Sequence, residues 1–249
     1  MRVTVLGSAA SHAAQGQACA GHLVECDETR VLFDCGNGVL ANLYRVADPT
    51  EIDAVFVTHN HPDHYVDLYS MQSMLRYSPE GPAPAVPLFM PETLFERMQL
   101  LLSERGALEF REAFTFRPLE HGRAVSVGCL TVTPLLVDHT EPTYALVAEC
   151  AGRRFVYTSD TAPGPRVAAA AEGADLLLAE ATLPEQWAGA SPHLTARQAG
   201  ELARGAGVKQ LVLAHVWPTN DREAMQRQAD EAFGRAVTIA TEFDVFDVG

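Results

Sequence analysis

The feature that most constrains the fold of this chain is a dense cluster of metal-ligand side chains that directly follows an apolar run. The run, residues 52–57, has the length and composition of a short buried strand. Three imidazoles and one carboxylate follow within six positions, as His59, His61, Asp63 and His64. Neutral imidazole and carboxylate groups are the ligands that zinc-like divalent ions take in proteins. Because Pro62 favours a tight turn, the first two and the last two of these side chains can point to different sides, so one loop could supply two metal ions. The alternative, a solvated polar loop, would require four ligand-type residues to coincide.

Three later strand patterns also end at a residue that can bind a metal. These residues are His139 after the run 135–137, Asp160 after 155–157, and His215 after 211–213. A lone histidine at a strand end is more often structural than a ligand. The repeated placement indicates that these strand ends and the first cluster meet at one metal-binding edge.

The hydrophobic periodicity predicts an α/β fold built on two sheets. Strand patterns at 2–6, 23–26 and 30–34 begin the first sheet, and five runs of period two between residues 114 and 157 predict a second, antiparallel sheet. Helical and strand patterns then alternate to the end of the chain, which favours two sheets packed face to face and covered by helices. Strand patterns resume on both sides of the proline-rich stretch 78–91, so we expect a single domain over residues 1–249.

Composition limits the location and the partners of the protein. The five cysteines include no Cys-x-x-Cys pair, which predicts reduced thiols in a cytoplasmic protein. The N-terminus has a strand pattern rather than a secretory signal, and no apolar stretch approaches membrane-spanning length. The net charge of −14 works against nucleic-acid binding, which depends on Lys and Arg neutralising phosphates. We therefore expect a soluble cytoplasmic protein with no membrane partner.

The sequence resembles the metallo-β-lactamase superfamily and, within it, the branch that includes ribonuclease Z. The resemblance covers nearly the whole chain. The matching pieces are Val5-Leu6-Gly7-Ser8, Phe33-Asp34-Cys35-Gly36, the His-x-His-x-Asp-His pattern at 59–64, His139, Ser159-Asp160-Thr161, Glu180-Ala181-Thr182, His193-Leu194-Thr195 and Ala214-His215. The six-residue pattern is specific for the superfamily, and the last motifs point to the ribonuclease Z branch. The fold implied is a four-layer αββα sandwich, which agrees with the two predicted sheets.

The resemblance implies two divalent metal ions, usually zinc or manganese, and no other cofactor. The implied ligands are His59, His61 and His139 for one ion, Asp63, His64 and His215 for the other, and Asp160 as a bridge between them. Two ions about 3.5–4 Å apart suit in-line attack of an activated water on a phosphodiester. Asp63 is then also expected to act catalytically, as a partner of the attacking water.

The resemblance also implies an acid–base pair. In ribonuclease Z-like enzymes the histidine matching His193 protonates the leaving oxygen, and the glutamate matching Glu180 orients it. The motif around Glu180 here begins with Ala179 where the family has histidine. His193 could instead be a residue of the N-cap region before the helix that starts at Thr195, and Glu180 could be a purely structural carboxylate. Asp34 is likewise open between orienting a metal-binding histidine and capping a turn.

One departure from the family pattern narrows the function. Ribonuclease Z carries a long basic arm that grips tRNA, between the positions matching His139 and Asp160. Only 20 residues separate them here, and two strands and a turn use them. Residues 139–144 resemble the same segment of smaller relatives that act as cyclic-nucleotide phosphodiesterases.

We therefore expect a metal-dependent phosphodiesterase of a small nucleotide or cyclic nucleotide, with a small-molecule diester rather than tRNA as its partner. The alternatives are a ribonuclease Z-type tRNA 3′-end endonuclease, a lactone or thioester hydrolase, and a metal-stabilised binding subunit without turnover. A homodimer remains open by analogy with relatives.

Overall fold

The computed structural model describes residues 1–79, 81–140 and 142–249. Glu80 and Glu141 lie outside the described residues, the second of them within the stretch 139–144 compared above with phosphodiesterases. The described residues form two seven-stranded sheets that pack face to face.

The first sheet is antiparallel at one edge and parallel at the other. Its strands are β1 (Arg2–Gly7), β2 (Gly21–Cys26), β3 (Thr29–Phe33), β4 (Ala54–Phe56), β5 (Val86–Met90), β6 (Phe114–Pro118) and β14 (Val245–Asp247). Their order across the sheet is β14-β1-β2-β3-β4-β5-β6, with parallel pairing from β3 to β6. The prediction that 114–116 belongs to the second sheet is wrong. The intervening helices return the chain to the first sheet, where β6 pairs with β5.

The second sheet mirrors this arrangement. Its strands are β7 (Val125–Val127), β8 (Leu130–Val137), β9 (Thr143–Cys150), β10 (Arg153–Tyr157), β11 (Leu176–Glu180), β12 (Gln210–Ala214) and β13 (Thr238–Ile239). Pairing is antiparallel from β7 to β10 and parallel from β10 to β13. The strands β8, β10, β11 and β12 therefore all end at the same edge of the sheet.

Helices cover the outer face of each sheet. They are α1 (Val39–Leu43), α2 (Leu68–Arg76), α3 (Glu92–Gln99) and α4 (Glu104–Ala113) on the first sheet, and α5 (Pro165–Ala171), α6 (Ala196–Gly205) and α7 (Arg222–Phe233) on the second. The alternation of side chains along a strand supplies both apolar layers. In β3, Val31 and Phe33 enter the core between the sheets, whereas Leu32 packs under the helices. The predicted four-layer αββα sandwich is confirmed.

Two cysteines join the sheets at the edge opposite the strand ends just described. Cys26 closes β2 and Cys150 closes β9, and they form a disulfide across 124 residues of sequence. The prediction that the thiols are all reduced is wrong for this pair. Spacing along the chain could not reveal it, because the two residues come together only when the sheets pack. Among the described residues, no helix has the length and apolarity needed to cross a membrane.

Candidate metal centre

The loop after β4 presents its four predicted ligands from a single short turn. Pro62–His64 forms a turn of 3₁₀ helix, with Pro62 at its first position, where a missing N–H leaves no donor unsatisfied. The carbonyl oxygen of His64 accepts a hydrogen bond of 2.7 Å from the amide of Cys35. A side chain at Gly36 would overlap the backbone carbonyl of Asp63, so this close approach requires glycine. The loop is therefore fixed against the end of β3.

The first group of converging side chains contains two residues from this loop and two from the second sheet. It consists of His59, His61, His139 and Asp160, whose nearest ligand atoms all lie within 4.8 Å of one another. The Nε2 atom of His139 is 3.3 Å from Nδ1 of His61. Oδ2 of Asp160 is 3.6 Å from Nε2 of His59 and 3.9 Å from Nε2 of His139. This grouping matches the first set of ligands predicted from the sequence.

The second group lies on the other side of Asp160. It contains Asp63, His64 and His215 within the same 4.8 Å limit. The Nε2 atoms of His64 and His215 are 3.2 Å apart. Oδ1 of Asp160 lies 3.5 Å from Nε2 of His64, so the two oxygens of this carboxylate face different groups.

Hydrogen bonds to the far side of each ring decide which imidazole atoms are free to bind a cation. Nδ1 of His139 lies 3.0 Å from the carbonyl oxygen of Pro192 and donates to it. Nδ1 of His215 lies 2.9 Å from the hydroxyl oxygen of Thr182. Nε2 of His139, which faces into the first group, then carries a lone pair, whereas Nε2 of His215 lies 3.3 Å from Oδ2 of Asp63.

The donor set fits divalent metal ions. The Nε2 atoms of His64 and His215 lie 3.2 Å apart, and both face Oδ2 of Asp63, so these three residues could bind one cation once His64 has lost its proton. Nε2 of His59 is fully buried and has no hydrogen-bond partner among the described residues, and an unsatisfied buried nitrogen costs free energy. Imidazole nitrogens and carboxylate oxygens are the ligands of Zn²⁺ and related ions. The residues therefore form a metal-binding cluster.

Most protonation states already suit metal binding, which needs neutral imidazole and ionised carboxylate. Burial lowers the pKa values of His59, His61 and His139. Burial alone would raise the pKa of Asp160, but the charges of His215 and His64 outweigh it and hold that pKa well below its ordinary value. The pKa of Asp63 is likewise lowered, since its hydrogen bond with His215 and the charge of His64 outweigh burial.

His64 is the exception. Burial disfavours its imidazolium, but the charges of Asp160 and Asp34 outweigh that effect and hold the pKa of His64 well above its ordinary value. A cation entering the second group must therefore displace this proton.

Asp34 holds the ring of His64 from behind. Its Oδ2 lies 2.7 Å from Nδ1 of His64 and accepts a further hydrogen bond of 2.9 Å from the hydroxyl of Tyr157. Its Oδ1 accepts one of 2.8 Å from the amide of Thr58. Of the two alternatives left open by the sequence, these contacts support the orienting one.

Glu180 and His193 form a pair beside the cluster. Nδ1 of His193 lies 2.9 Å from Oε1 of Glu180 and 4.0 Å from Oδ2 of Asp160. Burial lowers the pKa of His193, but the hydrogen bond and charge of Glu180 outweigh it and raise that pKa to about 9. His193 lies two residues before Thr195, which caps α6 and forms a capping box with Gln198, and its side chain contacts Glu180 rather than the helix end.

Three residues around the cluster were not identified as functional from the sequence. The hydroxyl of Thr182 donates to Oε2 of Glu180 at 2.7 Å and contacts His215, so it links the acid–base pair to the second group. The amide of Ser11 donates to Oδ2 of Asp63 at 2.7 Å. The indole nitrogen of Trp217 donates to the hydroxyl of Ser11 at 3.1 Å. Only the Glu180-Ala181-Thr182 motif offered a signal, and it pointed to Glu180.

Backbone strain is concentrated at the same edge. Asp34, Ser159 and His215 have φ values of 59°, 54° and 49°, and Ser11 has 63°. Non-glycine residues rarely adopt this left-handed conformation, which costs about 1–3 kcal/mol each and tends to occur at functional sites. The packing around the cluster therefore holds these side chains in positions that a relaxed backbone would not give.

Comparisons of sequence and of structure with known proteins lead to the same superfamily. Residues 29–216 match the family model of the β-lactamase superfamily domain. An uncharacterized protein of Mycobacterium leprae, ML1173, is 31% identical, with 100% of this chain and 89% of the relative covered. The ribonuclease Z of Myxococcus xanthus is 26% identical, with 100% and 97% covered. The crystal structure of the metallo-β-lactamase fold protein YhfI from Bacillus subtilis superposes with a TM-score of 0.88 at 25% identity and covers 99% of each chain.

Proposed function

Because this chain belongs to the β-lactamase superfamily, a family of metallo-hydrolases, we propose that it is a dinuclear phosphodiesterase acting on a small nucleotide or cyclic nucleotide. One observation carries the proposal. Asp160 lies between two groups of candidate ligands, and the pair His193 and Glu180 stands beside it. This combination supports a site that can hold two cations and protonate a leaving group next to them.

The proposed ligands are the seven residues predicted from the sequence. One ion would be held by His59, His61 and His139. The other would be held by Asp63, His64 and His215, and Asp160 would contact both ions. Bound Zn²⁺ or Mn²⁺ would supply Lewis-acid charge to the phosphate oxygens and lower the pKa of water.

His193 is the proposed general acid. Its Nδ1 is engaged by Glu180, which leaves Nε2 as the proton-donating atom. A raised pKa of about 9 keeps the ring protonated at neutral pH, as an acid requires. Glu180 orients the ring, because three other hydrogen bonds, from the amide of Thr161 and from the amide and hydroxyl of Thr182, hold its carboxylate in one position.

Asp63 is proposed to position the attacking water as well as to bind metal. Its Oδ2 is held by the amide of Ser11 and lies 3.3 Å from Nε2 of His215. Its side chain is 12% exposed, whereas those of His64 and Asp160 are at most 2% exposed. It is therefore the carboxylate of the second group that solvent reaches most easily.

The charge of the surrounding segments favours a small substrate. The segments that carry the candidate residues contain neither Lys nor Arg: 8–20, 58–67, 138–144, 158–164, 181–195 and 214–221. A long polyanion needs such cations to neutralise its phosphates, and the net charge of −14 adds repulsion. A diester with a single negative charge needs only the metal centre.

A tRNA 3′-end endonuclease is the second candidate, favoured by the similarity to ribonuclease Z of Myxococcus xanthus. That alignment extends over 303 positions, whereas this chain has 249 residues, so the relative carries segments with no counterpart here. The lost length agrees with the absence of a tRNA-binding arm between His139 and Asp160. Substrate size therefore separates the two candidates.

We further infer that residues 1–249 form one hydrolase domain. Strands β1 and β14 lie outside the matched range 29–216, yet they pair with each other and β1 pairs with β2 to complete the first sheet.

The proposal is tested by incubating the Zn²⁺- or Mn²⁺-loaded protein with cyclic mononucleotides, dinucleotides, a lactone, a thioester and a pre-tRNA. We expect hydrolysis of the small diesters and little cleavage of the pre-tRNA, with Asp63→Asn as the inactive control. Site-specific removal of the pre-tRNA 3′ trailer at physiological salt would favour the endonuclease instead. Turnover of only the lactone or thioester would move the protein to that class, and bound metal without any hydrolysis would indicate a binding subunit.

A further inference from the structure

A pair of tryptophans lies beside the candidate metal centre without supplying a ligand to it. Trp187 and Trp217 contact each other edge to face, with ring centroids 5.7 Å apart and an interplanar angle of 82°. The side chain of Trp187 is 53% exposed, which is unusual for the largest apolar side chain unless its surface is used. They are the only tryptophans in the sequence.

Each tryptophan is tied to the centre by a short connection. Trp217 follows His215 by two residues, and its indole nitrogen donates to Ser11, whose amide donates to Asp63. Trp187 lies in the loop 183–194 that also carries His193. The base of that loop is closed by a backbone hydrogen bond of 3.0 Å from Leu183 to Leu194.

The loop leaves the indole of Trp187 open. Trp187 ends a turn of 3₁₀ helix at Glu185–Trp187, and the small residues at 188–190 that follow are exposed. These small side chains do not cover the indole ring, and Trp187 is about half exposed. A planar ligand can therefore approach it from solvent.

The charge of the segments that carry the site indicates what kind of planar ligand Trp187 would bind. The segments that carry the site contain neither Lys nor Arg, and Arg197, which reaches the turn of Trp187 from α6, is paired with Glu185 at 3.5 Å and Glu231 at 3.4 Å. Recognition beyond the phosphate is therefore better served by a contact that needs no free cation. Aromatic rings bind nucleobases by stacking, which tolerates any base because every base presents a π face. We propose that Trp187 and Trp217 form the base-binding subsite for a nucleoside phosphodiester whose phosphate occupies the metal centre; this rests on the proposed function. Trp187 supplies the stacking surface and Trp217 supports it.

Tryptophan fluorescence reports on this subsite directly, because both tryptophans belong to it. We expect adenosine and adenosine monophosphate to quench the fluorescence of the zinc-loaded protein in a saturable manner, and ribose 5-phosphate, which lacks a base, to leave it unchanged. Trp187→Ala should abolish the quenching, and Trp187→Phe should retain nucleoside binding in a competition assay because a phenyl ring still stacks.

Kinetics give the second readout. For a cyclic nucleotide, Trp187→Ala should raise KM about 5–100-fold, as expected for loss of one base stack, with little change in kcat. Tyr44→Ala, which removes a ring of similar exposure, 58%, from the end of α1, is the matched control and should behave like the wild type.

The outcomes separate this inference from the proposed function. Diester hydrolysis with no nucleoside quenching and an unchanged KM in Trp187→Ala would overturn the subsite and leave the phosphodiesterase proposal intact. Saturable quenching lost in Trp187→Ala, in a protein that hydrolyses no diester, would support the subsite and overturn the phosphodiesterase proposal.

Discussion

The Nδ1 atom of His193 lies 2.9 Å from Oε1 of Glu180, a carboxylate whose side chain has no exposed surface. The amide of Thr161 donates to the same oxygen at 2.7 Å, and the hydroxyl of Thr182 donates to the other at 2.7 Å. A carboxylate held so firmly fixes the orientation and the tautomer of the histidine that it contacts. The remaining ring nitrogen, Nε2, is then the one able to donate a proton.

His193→Ala should affect substrates according to their leaving group. A ribose alkoxide needs a proton in order to depart, whereas p-nitrophenolate is stable without one. We expect a loss of about 10²–10⁴-fold in kcat/KM for a nucleotide diester and a small loss for bis(p-nitrophenyl) phosphate, measured at equal metal content. Equal losses on both substrates would mean that His193 binds substrate or supports the fold.

Glu180→Gln should lower the pKa of His193. The carboxylate stabilises the imidazolium, and an amide of the same shape cannot. In the metal-free wild type we expect the His193 resonances to titrate near pH 9 by NMR, and in Glu180→Gln to titrate well below that value. An unchanged midpoint would show that Glu180 does not hold this proton.

The same pair gives the metal-free protein a stability that depends on pH. The folded pKa of His193, about 9, lies above the ordinary value of 6.5, so the folded state binds the proton more tightly than the unfolded state does. This stabilisation is fully present below about pH 6.5 and is lost as the pH rises through about 9. Urea unfolding at the two ends of this window should show a smaller loss of stability in His193→Gln than in the wild type.

Asp34→Asn should weaken metal binding at the second group. The substitution keeps the shape of a fully buried side chain but removes the charge that faces Nδ1 of His64. Loss of a partner behind a ligating histidine typically costs about 10–100-fold in metal affinity, which competition with a chelator measures. Tyr157→Phe removes one neutral donor to the same carboxylate and should cost less. Equal affinity in Asp34→Asn and the wild type would contradict the orienting role.

Reduction of the Cys26–Cys150 disulfide should destabilise the fold and leave the metal centre in place. A crosslink over 124 residues restricts the unfolded chain, and such bonds typically contribute about 2–4 kcal/mol. We expect the double variant Cys26→Ser/Cys150→Ser to melt at a lower temperature than the wild type, while the two proteins bind similar amounts of metal. Cys129→Ser, which changes a free cysteine beside the pair, is the control. An unchanged melting temperature in the double variant would mean that the crosslink contributes nothing.

The convergence of the strand-end residues was predictable because parallel strands share an edge. His139, Asp160 and His215 each follow a strand of the second sheet, and β8, β10 and β12 all run in one direction, so their ends meet. The cluster 59–64 enters the same edge from β4 of the first sheet. A periodic pattern followed by a ligand-type residue therefore carried enough information to group the candidate ligands.

Contacts made between distant segments could not be predicted in this way. Thr182 reaches His215 because Glu180 pairs with Ala214 in the register of β11 and β12, and a sequence does not state that register. The contact between Trp217 and Ser11 depends on two loops separated by 206 positions. The strand β6 has the same period as its successors, so periodicity alone assigned it to the wrong sheet.

The number of metal ions per chain tests the central claim most directly. The protein is loaded with excess Zn²⁺ or Mn²⁺, freed of unbound metal and measured by elemental analysis, beside Asp160→Ala with its folding confirmed by circular dichroism. We expect about two ions per chain in the wild type and a loss from both groups in Asp160→Ala, because the two oxygens of this carboxylate face different groups. A wild-type protein that saturates at one ion, or an Asp160→Ala protein that keeps two, would contradict the dinuclear site.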